Sequence, residues 1–141
     1  MANDYADGIV QGKAGSLSIE EMGTQIKKVA RQWGATAVGI SNLESLAGGP
    51  PSTDLNYVMQ GARAAITFVV PFDDEAIRKY LAKEDRTAHQ KDQNFTNTLA
   101  SGIASQAASY LAQFGARAEA VMANNVYRDG NGLRYIDQHP D

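Results

Sequence analysis

Apolar positions along this chain fall by turns into helical and strand spacing, and the alternation predicts a mixed fold. Ile19, Met22, Ile26, Val29, Ala30 and Trp33 recur at three- and four-residue intervals, with Lys27, Lys28, Arg31 and Gln32 opposite them. That periodicity predicts an amphipathic helix over 19–33. Ser18 and Glu21 have the spacing of a capping box at its start, and Gly34 closes its end. Ala35 to Ser41 is short, apolar and partly β-branched, which predicts a buried strand. Gly48-Gly49-Pro50-Pro51-Ser52 has loop composition, and Leu55 to Gln60 fits a short helix. Ala64 to Val70, closed by Pro71, is the strongest strand signal, and its nearly continuous apolar character predicts burial on both faces.

The second half repeats the alternation. Asp73 or Asp74 can cap a helix through about Lys83. A longer helix is predicted from Gln93 to Phe114, with Phe95, Leu99, Ile103, Ala107, Tyr110, Leu111 and Phe114 on one face. Small residues from Ala100 to Ala108 let a neighbouring backbone come close, so this helix should be central. Ala116 to Met122 reads as a third strand. Tyr127 to Ile136, broken by Asp129-Gly130-Asn131-Gly132, reads as a hairpin or a turn into a last strand. Residues 1–17 are small, polar and Gly-rich and read as a flexible N-terminal arm, leaving 18–141 as one α/β or α+β domain.

Composition narrows the chemistry. A chain of 141 residues suits one domain with a sizeable core. A net charge of -3 argues against a general nucleic-acid surface. Without cysteine, this chain alone can hold no disulfide, no cysteine-ligated zinc and no iron–sulfur cluster. The first residues lack the basic-then-apolar pattern of a signal peptide, and no apolar run approaches the roughly 20 residues of a membrane span. The expected compartment is the cytoplasm.

Few residues suggest catalysis. His89 and His139 stand alone and read as solvated or structural side chains rather than metal ligands. Ser101 and Ser105 lie among small helical residues with no activating base nearby in sequence, which fits packing. Asp73-Asp74-Glu75 fits a helix N-terminus better than a cation site. Arg63, entering the strongest strand, fits either an anion contact or a surface cation. Asp137 lies where Leu133 to Ile136 runs into Gln138-His139-Pro140. A carboxylate at a strand exit can stand at a pocket edge, or it can be a solvated group on a frayed terminus.

Four segments together resemble the epoxyqueuosine reductases and related corrinoid-dependent iron–sulfur reductases, which include reductive dehalogenases. Ile26 to Ile40 resembles the family's opening helix and its Gly-hydrophobic-x-x-Val-Gly-Ile strand. Gly61-Ala62-Arg63-Ala64-Ala65-Ile66 resembles its Pro-Gly-Ala-Arg-Ser-Val-Ile strand. Asn94-Phe95-Thr96 stands where the family has Asp-Tyr-His. Ile136-Asp137-Gln138-His139-Pro140 resembles its Val-Asp-[Ser/Thr]-x-Pro segment.

The resemblance implies a nitroreductase-like three-layer domain, with a central sheet and flanking helices, that faces a cobalamin. It also implies a following cysteine-rich domain with two [4Fe–4S] clusters. Asp137 would be the candidate proton donor to substrate: a carboxyl kept protonated by burial can protonate an oxygen as a C–O bond is reduced. The cluster-binding cysteines are absent here, so the expectation is an incomplete N-terminal portion of such an oxidoreductase, inactive as this chain and binding cobalamin weakly or not at all. Its partners would be the cluster domain, a partner chain or a second copy in a homodimer. Two other readings stand beside it: a non-catalytic binding or assembly module of the same fold, and a flavin-binding reductase fragment.

Overall fold

A computed structural model describes residues 9–12, 15–50 and 53–123. Strand β1 (Ile9–Gly12) and strand β2 (Gly15–Ser18) form an antiparallel hairpin within the segment expected as an arm, with Ile9 opposite Ser18 and Gly12 opposite Gly15. Helix α1 (Ile19–Gln32) follows at once. Its capping box is present: the Ser18 hydroxyl accepts from the Glu21 amide at 3.1 Å, and the Glu21 carboxylate accepts from the Ser18 amide at 3.0 Å. Gly34, at φ 121°, turns the chain out of α1 in a conformation that a Cβ would strain.

Strand β3 (Ala37–Asn42) and strand β4 (Ala64–Val69) make a second antiparallel ladder, in which Val38 faces Phe68 and Ile40 faces Ile66. Between them lie a turn from Leu43 to Gly48 and a short 3-10 helix, Leu55–Tyr57, capped by Asp54. Helix α2 (Asp74–Leu81) starts at Asp73, whose carboxylate accepts from the Ala76 amide at 2.7 Å. Helix α3 (Thr87–Gln113) starts six residues before the expected Gln93, because Asp85 accepts from the amides of Thr87 at 2.8 Å and Ala88 at 3.1 Å. The architecture is therefore mixed helix and strand, with three helices and two antiparallel pairs among the described residues.

Two small apolar clusters hold these elements. In one, Ala30, Ala35 and Ile103 are buried beneath Trp33, Val38, Phe68, Val70 and Leu99, joining α1 and α3 to one face of the β3–β4 pair. In the other, Met22 and Phe114 meet Leu17, Tyr110 and Leu111, which ties the hairpin and α1 to the end of α3. Tyr110 links the two, packing edge-on against Trp33 at 6.4 Å and Phe114 at 5.2 Å between ring centroids.

Three expectations need correction. Ala64 to Val70 is not buried on both faces. Residues opposite one another in an antiparallel pair share a face, so Val38, Ile40, Ile66 and Phe68 lie on one side, and Ala37, Gly39, Ser41, Ala65, Thr67 and Val69 on the other. The second side is open, and Val69 is 52% exposed. Ala116 to Met122 is not a strand. The two-residue alternation is there, with Ala116, Ala118 and Ala120 half-buried and Arg117 and Glu119 exposed, but the segment joins no ladder. It is fixed instead by the Arg117 guanidinium donating to the Gln60 carbonyl and the Ala123 amide donating to Ser101 Oγ at 3.0 Å. Phe95 leaves the packed face of α3 and is 66% exposed, while its neighbour Thr96 is buried. Tyr127 to Ile136, read as a hairpin or last strand, lies outside the described residues.

Candidate functional site

The side chains named from the sequence do not converge. Asp137, the candidate proton donor, and His139 lie outside the described residues. Arg63 is exposed where the chain enters β4, immediately after buried Ala62. Asp73 is spent on capping α2, and its own amide donates to the Asp92 carboxylate at 2.8 Å, so this acidic run terminates a helix and tethers it to α3. Ser101 accepts a backbone amide, which makes it a tie between α3 and the segment before Ala123. Ser105 is exposed on α3. Asp73 and Ser101 are thus structural uses of a polar group at places where the backbone requires one.

Asn94-Phe95-Thr96 sits within α3, two turns from its start, rather than ahead of the helix. The Asn94 side-chain oxygen accepts from Gln90 Nε2 at 3.2 Å, and its backbone carbonyl accepts from the Thr98 hydroxyl at 2.9 Å. His89 lies one turn earlier. It packs on Tyr80 at 4.7 Å and on Phe72 at 5.7 Å between ring centroids, and its Nδ1 is buried without a hydrogen-bond partner. That contact locks α2 to α3, and sequence spacing gives no sign of it because Phe72, Tyr80 and His89 fall on separate elements.

Two surfaces remain. The first is the open side of the β3–β4 pair. Its side chains are small, and a Cβ added at Gly39 would meet nothing within 4 Å. Such a shelf leaves room for a flat ring system but presents no histidine or carboxylate. The second is a shallow cavity of about 560 Å³ along the outer side of α1, lined by Thr24, Lys27, Lys28, Arg31 and Gln32. Its cations are like-charged neighbours at three- and four-residue spacing, which mildly opposes the helix. They can attract an anion, but no carboxylate stands among the lining residues. Among the described residues no cluster of histidine and carboxylate is placed to hold a metal ion, and no helix is long and apolar enough to cross a membrane.

Lys79 is held above its ordinary range by its hydrogen bond to Glu75 at 2.9 Å and by that carboxylate's charge, an exposed pair one turn apart on α2. Exposed pairs of this kind contribute little to stability. No protein-family model, curated protein or solved structure matches the chain.

Proposed function

We propose that this chain is the cobalamin-facing portion of a corrinoid-dependent iron–sulfur reductase of the epoxyqueuosine reductase type, with a nitroreductase-like fold completed by further chain or by a partner. The observation that carries this reading is the placement of two resembling segments. Those ending in Ala37-Val38-Gly39-Ile40 and in Ala64-Ala65-Ile66 are adjacent antiparallel strands, packed by one side on the resembling helix α1 and mostly exposed on the other. A sheet with one bare side is what a three-layer domain looks like with a layer removed. The small residues of that side suit the approach of a flat macrocycle.

In this reading, cobalamin supplies reducing power at its metal when bound, and the clusters that recharge it belong to the cysteine-rich partner. This chain's own part is to shape the wall of the pocket and, through Asp137, to hold a proton for the substrate oxygen. The isolated chain would be inactive. The same bare side also fits a binding or assembly module that uses the fold without cofactor.

The coding sequence beyond codon 141 tests the proposal. In-frame or adjoining frames with two Cys-x-x-Cys-x-x-Cys-x-x-x-Cys-Pro runs support it. A neighbourhood with no cluster-binding protein contradicts it and leaves the binding module as the better reading.

A further inference from the structure

The contact between α2 and α3 is built around a titratable ring that the proposed function does not use. His89 stands in the first turn of α3, with Tyr80 of α2 tilted at 43° against it and Phe72, which leads into α2, edge-on at 73°. Its Nδ1 is shut off from water and has no hydrogen-bond partner. A neutral imidazole tolerates this, because its single N–H can sit on Nε2 and leave Nδ1 a lone pair. An imidazolium carries an N–H on both nitrogens, so a charged donor must then occupy the dry position where no acceptor stands.

The acids around the contact hydrogen-bond backbone amides or Lys79 rather than the His89 ring. Asp92 accepts from the Asp73 amide, Asp73 from the Ala76 amide, and Asp85 from the Thr87 and Ala88 amides. On α2, Glu75 is paired with Lys79. The positive end of the α3 dipole also disfavours a cation in its first turn. The rings of Tyr80 and Phe72 attract a cation, but that attraction is smaller than the loss from a buried unpaired charged N–H.

We propose that α2 is an acid-released flap: protonation of His89 undocks α2 and Phe72 from the start of α3, while α1, β3, β4 and the rest of α3 stay folded. Docking then holds while the ring is neutral and fails once it is protonated. The inference does not depend on the corrinoid reading.

Amide hydrogen exchange on the full chain, read by mass spectrometry at about pH 7.5 and about pH 5.5 and corrected for intrinsic exchange, tests it. Protection across 74–81 should fall roughly tenfold or more at the lower pH, while α1 is unchanged, and His89→Phe should abolish the difference. Constant α2 protection in the wild type, an equal fall in α1, or the same fall in His89→Phe would overturn it. Should His89→Phe not fold, proton NMR of the wild type decides. Cross-peaks between His89 and Phe72 or Tyr80 should vanish as the His89 ring titrates, and their persistence in the protonated protein would overturn the proposal.

Discussion

Ser18, Gly23 and Ile103 show how single positions divide between helix-making and core-making. Ser18 and Glu21 satisfy each other's amides, so Ser18→Ala should lower stability by about 1 kcal/mol, measured by urea unfolding. Gly23 lies inside α1, where glycine costs about 1 kcal/mol against alanine. A Cβ there would come to 3.3 Å from Ile40 Cδ1, the free end of a side chain 39% exposed. The methyl can swing away, so Gly23→Ala should stabilise by about 0.5 kcal/mol or more; a loss on urea unfolding would mean Ile40 is pinned. Ile103 is buried between α1 and the sheet, and Ile103→Ala should cost about 2–5 kcal/mol by the same measurement. Capping and periodicity make the roles of Ser18 and Ile103 visible in sequence, because both follow from spacing along one helix. His89 was not legible in that way, since its partners lie on other elements.

At the scale of elements, local signals predicted helices and the two central strands well, and failed where pairing or packing across elements decides. Asp54, Asp73 and Ser18 each cap a helix where the sequence placed a start. The start of α3 was missed because Asp85 caps two residues ahead of Thr87, within a polar stretch lacking apolar periodicity. Ala116 to Met122 keeps a strand's alternation but has no ladder, and alternation alone cannot supply one. Phe95 has helical spacing with the core residues, yet at that turn of α3 it is Thr96 that is buried and Phe95 that faces out. Lys83 marks a further element-level test. The Glu84 amide closes on the Lys79 carbonyl at 2.9 Å, a helix ending ordinarily made with glycine at the left-handed position. Lys83→Gly should therefore raise the thermal midpoint by an amount equivalent to about 0.5–1 kcal/mol, and a lowered midpoint would show the lysine side chain to be a packing group.

For the whole molecule, the decisive feature is a core smaller than its sheet. Of the buried apolar residues described, Met22, Ile26, Ile103 and Phe114 are the only ones larger than alanine, while Val69, Leu81 and Phe95 stand in the open. Such surfaces mark binding faces in stable proteins. Light scattering at high concentration should accordingly give an apparent mass near twice the 15.1 kDa of one chain, and a clean monomer would count against a self-associating face. Asp137, the candidate proton donor, lies outside the described residues. Its test belongs to the cluster-bearing protein, where Asp137→Asn should slow single-turnover reduction by about 10²–10⁴-fold if it protonates substrate. The central claim, that this chain walls a cobalamin site, is tested most directly by metal content. The protein should be tagged at the N-terminus in its native genome, purified anaerobically, and assayed for cobalt and iron with a visible spectrum. The account predicts cobalt and iron copurifying in fixed proportion, with a corrinoid spectrum that gel filtration does not remove. A homogeneous preparation that contains the cluster-bearing protein yet is free of cobalt would contradict it.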